Sequence, residues 1–479
     1  MTAGAKLIVH KFGGTSVGNA EHFANVADIV AAHHEGSSSA GTVVVLSAMS
    51  KVTDLLITGA RAAAAGNDTA YREVKADLLA KHLQAAEALL NRGTERLEVC
   101  GVVEDRLHEL ERLYRSIAVL GELTARGRDV VASFGEQLST SILAAALRER
   151  GMRASAISAT QLIVTDNHFG AATPQTDLTR DRLHEHVTPM VQQGAVPVIT
   201  GYNGATESGV TTTLGRGGSD LSAAIVGCGL GADEVWIWSD VDGILTADPN
   251  IVPQARSLTE LSYAEAADLA YFGADVLHPK TIRPVAEHGI PLRILNSFNP
   301  TGAGTLIVEK PRPDRELLPA IISSTGFSMV AVGAKDGFWS LQVAARLLQR
   351  LSDAGLDVLM FWQSFSEHGL NLMVREQDQA HCLRVLSENL QNGSEDSVHT
   401  LGTKEKVATI SVVGMPGWKS NDTGIVPQTF AALGQHSTRI IAVAQTATEY
   451  SVSFCIPQHQ VVDTVRFLHR ELGLEGDDA

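Results

Sequence analysis

The chain is poor in the groups that usually announce chemistry or location. Only four cysteines occur in 479 residues, Cys100, Cys228, Cys382 and Cys455, far apart and without a CxxC pair. That spacing excludes a thiolate metal cluster and a disulfide framework, and it fits reduced thiols in a cytoplasmic protein. No run of about eighteen apolar residues occurs, so no membrane span is expected. The first residues, Met1–Lys6, lead into an apolar strand without a signal-peptide pattern. Positive charge is scarce: 38 Lys and Arg stand against 54 Asp and Glu, a formal net charge of −16. Nucleic acid is therefore not expected as a partner. The 17 histidines show no ligand spacing; His33-His34 and His184/His186 read as solvated helix residues, and no resident metal site is predicted. The GxxxxGK[ST] phosphate loop is absent too.

Against this background two glycine runs stand out. Lys11-Phe12-Gly13-Gly14-Thr15-Ser16 follows the apolar segment Leu7-Ile8-Val9, and Thr211–Asp220 contains Leu214-Gly215-Arg216-Gly217-Gly218-Ser219-Asp220. Each places glycines and hydroxyls where a strand gives way to a helix, a junction that offers backbone N–H groups to an anion. In an acidic protein, a lysine in one run and an arginine in the other imply two anionic ligands brought together. A phosphate donor and a carboxylate acceptor fit.

The length implies two or three domains. Over residues 7–300, buried strands at Leu7–Lys11, Thr42–Ser47, Val196–Thr200 and Glu234–Ser239 alternate with helices at Ala20–His34, Glu136–Arg150 and Ser219–Gly229. That alternation predicts an α/β layer structure with a largely parallel sheet. Residues 69–130, with Val103, Leu107, Leu110, Tyr114 and Ile117 at helical spacing, read as a helical insertion with little chemistry of its own. Turn residues after Asn296 and the Lys310–Pro313 stretch mark a linker over 301–318. Beyond it the chain repeats. Gln363-Ser364-Phe365-Ser366-Glu367 with Leu370–Val374 is echoed 82 residues later by Gln445-Thr446-Ala447-Thr448-Glu449 with Ser451–Cys455. Helices flank both copies. Two α+β units of strand–helix–strand–strand–helix–strand follow, over 319–400 and 401–479, with intertwining allowed.

Taken singly, the candidate residues have ordinary readings. A strand-end lysine such as Lys11 usually snorkels to solvent, Asp220 and Glu136 can be first-turn helix carboxylates, and Ser47 and Thr53 can be caps. Together they point elsewhere. Gly13 and Gly14 let backbone approach phosphate beside Lys11, and Arg216 can hold a carboxylate with two parallel hydrogen bonds. Asp220 beside it can bind an ammonium or orient a lysine. Ser239, Asp240 and Asp248 follow a parallel strand, where acidic residues contact ligands or simply form turns.

The order of KFGGTSV (11–17), Gly135-Glu136, TTTLGRGGSD (211–220), SDVDG (239–243), ADP (247–249) and VLHPKT (276–281) resembles that of aspartate kinases. The likeness extends over nearly the whole chain, and the C-terminal repeat is similar to the tandem ACT domains of that family. It is closer to threonine-sensitive aspartokinase–homoserine dehydrogenases than to lysine-only forms, without a dehydrogenase segment in these residues. The resemblance implies an amino-acid kinase (carbamate kinase-like) three-layer sandwich with two ferredoxin-like ACT domains. The implied reaction transfers a phosphoryl group from ATP, with Mg2+, to the β-carboxylate of L-aspartate, the first step towards lysine, threonine and methionine.

On the same ground Lys11, Asp220 and Arg216 are implied as catalytic. Ser47, Thr53, Glu136, Arg216, Gly217, Gly218 and Ser219 are implied as substrate contacts, and Lys11, Gly13, Gly14, Ser16, Ser239, Asp240, Asp248 and Lys280 as nucleotide contacts. Gln363 and Gln445 are implied as effector contacts for lysine or threonine, in a homodimer or larger assembly. Three positions depart from the pattern: Asp275 for a common lysine, Leu245 for tyrosine and Asn250 for a basic residue. Lys280 is the candidate replacement cation. The competing readings are a kinase for another amino acid and a catalytically impaired amino-acid sensor built on the ACT pair.

Overall fold

The computed structural model describes residues 6–36, 41–271, 277–334, 340–364, 369–388, 398–414, 425–445 and 451–475. The chain divides into two units, one of residues 1–244, 257–271 and 275–315, the other of residues 245–256, 272–274 and 316–479.

The first unit is built on an eight-stranded sheet. Its order is Ala154–Ile157, Val196–Thr200, Gly41–Leu46, Leu7–Phe12, Glu234–Ser239, Leu292–Asn296, Thr305–Val308, Glu260–Ser262. The pairs are parallel except that Thr305–Val308 runs antiparallel to Leu292–Asn296. The central strands are continuous apolar runs because both faces are covered: Val43 to Leu46 are fully buried. A three-stranded sheet of Val164–Thr165, Asn203–Thr206 and Thr211–Thr213 lies beside it in sequence.

Helices Asp68–Leu89 and Thr94–Leu120 form the insertion. Its Leu78, Leu107, Leu110 and Tyr114 are buried in one apolar core with Phe12, Leu46 and Leu138. Tyr114 donates its hydroxyl to the Leu56 carbonyl at 2.8 Å, and burial holds that phenol above its ordinary pKa. The segment Ala125–Glu149 is long and apolar enough to cross a membrane. Ser139, Leu143 and Leu147 on it are nonetheless fully buried inside this unit, as expected of a core helix.

Two boundaries differ from the sequence expectation. The stretch 301–318, expected as linker, contributes the strand Thr305–Val308 to the eight-stranded sheet. The apolar alternation Leu-Ile-Val there finds an unpaired neighbour in Leu292–Asn296 and extends the sheet. Conversely, residues 245–256 cluster with the second unit. There the Thr246 carbonyl accepts the Ile321 amide at 2.7 Å, the Thr246 hydroxyl lies 3.0 Å from His469 Nε2, and Arg466 Nε donates to the Ile251 carbonyl.

The second unit is organised by two long antiparallel strands, Ala320–Ala334 and Val398–Val413, within a six-stranded sheet. Residues 327–333 pair with Gly369–Arg375, which pairs in turn with Met360–Ser364. Residues 320–324 instead pair with 409–413, whose other neighbour is Ser451–Pro457, followed by Ala442–Gln445. Each half thus contains four strands, and the second takes its closing strand from residues 320–324, ahead of the first. The expected boundary at 400 falls inside the strand Val398–Val413, and the two halves intertwine through residues 320–324: a strand needs a hydrogen-bonded neighbour, and that neighbour comes from the opposite end of the unit.

Candidate active site

The lysine strand Leu7–Phe12 and the helix Gly218–Leu230 meet at one cleft of about 490 Å3 in the first unit. Its lining includes Lys11, Gly14, Ser47, Thr53, Glu136 and the run Arg216–Asp220. Residues 200 positions apart in sequence converge because the lysine strand lies at the sheet centre, and both glycine runs sit at strand-to-helix turns.

Lys11 is 8% exposed, and its Nζ lies 2.5 Å from Asp220 Oδ1. The pair fixes the ammonium between the two glycine runs. Gly14 is required by close approach: a Cβ there would stand 2.9 Å from the Ala48 carbonyl oxygen. Gly217 is required by conformation as well, with φ of +71° and a Cβ position 2.5 Å from His278 Cβ. Burial, then the neighbouring Lys280 and Arg216, hold the His278 imidazole below its ordinary pKa, with Asp220 opposing. Its Nδ1 accordingly serves as acceptor for the Lys280 amide, at 3.2 Å.

Glu136 opens the helix Phe134–Glu149 and is buried at the cleft wall. Burial pushes its carboxyl up to about 8, against hydrogen bonds from its own amide and that of Ala48. Its Oε2 has no hydrogen-bond partner among the described residues. A buried carboxyl oxygen with no partner at the wall of a polar cleft is suited to a ligand donor, and an ammonium would draw the carboxyl back to its ionised form.

The turn Ser47–Lys51 forms another wall. The Ser47 amide donates to the Phe12 carbonyl (3.1 Å) and the Ser50 amide to the Gly14 carbonyl (3.1 Å). Ser139 Oγ donates to the Ser47 carbonyl at 2.7 Å.

Other expected contacts lie apart. The Gly13 amide is already donated to the Trp238 carbonyl at 3.3 Å, so the expected cradle of two amides reduces to that of Gly14. This follows from the parallel pairing of Phe12 with Trp238, which carries one residue further. Ser16 is buried with its Oγ 2.9 Å from Ser297 Oγ, a packing role. Ser239 bonds to Asp240 at 3.2 Å, and Asp240 is exposed; neither is in the cleft lining. Asp248 belongs to the second unit, where it accepts the Asn250 amide at 2.8 Å. Lys280 is exposed in the first turn of the helix Pro279–His288 and also lies outside the lining. Asp275 falls outside the described residues.

Several lining residues went unread in the sequence: Lys51, Asp54, Arg128, Gly170 and Tyr202. Lys51 and Tyr202 both carry φ of +66°, a strained conformation for side-chain-bearing residues that clusters at functional sites. Asp129 was missed too. Buried, it accepts the amides of Gly170 (2.8 Å) and Thr213 (3.0 Å) and the Thr213 hydroxyl (2.9 Å), tying together three segments of the first unit.

In the second unit, Gln363 is the penultimate residue of the strand Met360–Ser364 and Gln445 the last of Ala442–Gln445, and both are exposed. They pair with Leu370 and Val452, equivalent positions of the two halves. The turns that follow them lie outside the described residues.

A model of the amino acid kinase family matches residues 6–296, and an ACT-domain model matches 410–472. The chain is 32% identical to chloroplastic aspartokinase 1 of Arabidopsis thaliana, over 98% of this chain and 80% of that protein. It is 33% identical to the chloroplastic bifunctional aspartokinase/homoserine dehydrogenase 2 of Zea mays, over 96% of this chain but only 50% of that protein. Among solved structures, E. coli aspartokinase III in complex with aspartate and ADP (R-state) superposes with a TM-score of 0.79 at 28% identity, covering 98% of this chain and all of that one. Its complex with lysine and aspartate (T-state) gives 0.76 at 27% identity, over 98% and 99% of the two chains. The chain therefore belongs to the aspartokinases, within the amino acid kinase family.

Proposed function

We propose that the cleft transfers the γ-phosphoryl group of MgATP to the β-carboxylate of L-aspartate, giving 4-phospho-L-aspartate and ADP. The observation that carries this reading is the Lys11–Asp220 pair, which holds a cation between a phosphate-type and a carboxylate-type glycine run. An oxygen of the β-carboxylate forms the new O–P bond, the bond from the γ-phosphorus to the bridging oxygen breaks, and that oxygen leaves with ADP. The acceptor has a solution pKa near ~4 and is already ionised, so no general base is needed. The difficulty is bringing an anion to a polyanion, and catalysis here is charge compensation and positioning.

Lys11 compensates the transferring group, supported by the Gly14 amide. Arg216, at the mouth of the cleft, holds an aspartate carboxylate, and Glu136 takes the substrate ammonium. Ser47, Thr53 and Ser219 supply hydroxyl contacts, and Gly217-Gly218 let the backbone approach. Asp220 orients Lys11. Magnesium arrives with the nucleotide as part of the substrate. On the nucleotide side, Ser239 and Asp240, at the end of the strand Glu234–Ser239, and Lys280, in the first turn of the helix Pro279–His288, act outside the cleft lining. The alternative of a sensor without catalysis leaves an intact Lys11–Asp220 pair and an empty-handed Glu136 without a purpose.

For regulation, we assign feedback inhibition by lysine, with threonine as the second candidate, through the ACT pair and a homodimer formed by it. Support comes from the T-state relative, whose complex holds lysine, and from the equivalent placement of Gln363 and Gln445. Inhibition requires the effector to bind a low-activity state more tightly. Coupled ADP-release assays across aspartate, glutamate and other amino-acid acceptors test the substrate assignment: activity restricted to aspartate supports it, and preference for another acceptor overturns it.

A further inference from the structure

We propose that Lys81, from the helical insertion, is a positioning residue for phosphoryl transfer: it anchors the Ser50 carbonyl and so holds the Ser47–Lys51 turn in the cleft. The inference rests on reading the cleft as the transfer site. Lys81 Nζ donates to the Ser50 carbonyl at 2.7 Å. It reaches there from the middle of the helix Asp68–Leu89, whereas the other anchors of the turn come from Phe12, Gly14, Ser139 and Glu136. The turn needs outside support because it ends at Lys51 in the left-handed conformation, φ +66°.

A lysine of no function on such a helix extends its head group into water. Lys81 instead is part-buried and aimed at a main-chain carbonyl. Burial, then the charge of Lys51, lowers its pKa, which places the two ammonium groups near each other. Neither has a carboxylate within ion-pair distance among the described residues. Like charges gathered without counterions cost free energy, and the cost is offset where anionic ligands arrive. The next residue, His82, is fully buried with Nδ1 2.6 Å from the Leu78 carbonyl, so the stretch of helix that carries Lys81 is itself firmly seated. The insertion thus supplies one strut of the active site rather than packing alone.

The test uses the full chain with Lys81→Met, which keeps the stem and removes the charge and donor, and Lys81→Arg, which keeps both. Two readouts are taken: steady-state kinetics with aspartate and MgATP, and amide hydrogen exchange across residues 47–56 of the substrate-free enzyme. Lys81→Met should lower kcat by about ten- to a hundred-fold, raise the aspartate KM, and speed exchange in the turn while leaving the strand Gly41–Leu46 protected. Lys81→Arg should recover most of both. If Lys81→Met fails to fold by circular dichroism, Lys81→Gln takes its place in the same comparison. Unchanged exchange in the turn, or kinetics equal to the unmodified enzyme, overturns the proposal. If the unmodified enzyme fails to phosphorylate aspartate but Lys81→Met still loosens the turn, the anchoring stands and the reading of the cleft falls.

Discussion

Lys11 Nζ and Asp220 Oδ1 lie 2.5 Å apart although the two residues belong to different glycine runs. The pair converts two sequence features into one site. It pairs Lys11, at 8% exposure, with a carboxylate of the second run.

Removing that charge should therefore affect chemistry more than binding. Lys11→Ala should lower kcat by about a thousand-fold, with a change of less than about ten-fold in aspartate KM. Asp220→Asn, which keeps the shape but loosens the lysine, should fall between. Steady-state kinetics at saturating MgATP check both, and near-normal turnover in Lys11→Ala would remove the residue from the mechanism.

Glu136 makes the site sensitive to pH. Its carboxyl titrates at about 8 because of burial, and only the ionised form attracts an ammonium. Aspartate KM should fall as pH rises towards about 8 and level off above it. Glu136→Gln should show a higher KM without that step. The stability of the ligand-free protein should run the other way. A raised carboxyl pKa contributes stability that is complete below the ordinary value of 4.5 and is lost as pH rises through about 8. Kinetic pH profiles and thermal unfolding from pH 5 to 9 measure the two trends.

At Gly217 a side chain meets two obstacles, the positive φ and the His278 side chain. Gly209 shares the positive φ, +83°, with open space around its Cβ position. Gly217→Ala should therefore lower Tm by more than Gly209→Ala, whose strain alone costs about 1–2 kcal/mol. It should also raise aspartate KM, because Arg216 precedes it. Equal effects on Tm and KM would show that the helix start absorbs the change.

How far this was legible in the sequence depended on whether a feature was local. Gly13-Gly14, Gly217-Gly218 and the buried strands around Val9, Val45 and Ile237 carry their meaning in neighbouring residues. The engagement of the Gly13 amide by Trp238 was not legible, because it depends on which strand lies alongside Phe12. Arg128 and Tyr202 sit in unremarkable local sequence and reach the cleft lining through folding alone, as does Asp129 its bond to the lining residue Gly170. For the same reason the anchoring by Lys81 is not visible in the sequence of the insertion, and residues 320–324 read as part of the first repeat. The backbone strain at Lys51 and Tyr202 is likewise a property of the folded chain and leaves no mark in the local sequence.

For the regulatory unit, Gln363→Ala and Gln445→Ala should each raise the half-inhibitory lysine concentration by about ten-fold, scaled to each variant's own uninhibited rate. That factor corresponds to about 1.4 kcal/mol of lost coupling. An unchanged inhibition curve in both variants would place the effector elsewhere, and an uninhibited native enzyme would remove lysine from the account.

The central claim is tested most directly by the purified chain with MgATP and L-aspartate, following ADP release and trapping the acyl phosphate as its hydroxamate. Aspartate-dependent ADP release in equal amount to aspartyl hydroxamate, abolished in Lys11→Ala, is the predicted result. No aspartate-dependent ADP release, or the same rate in Lys11→Ala, would contradict it.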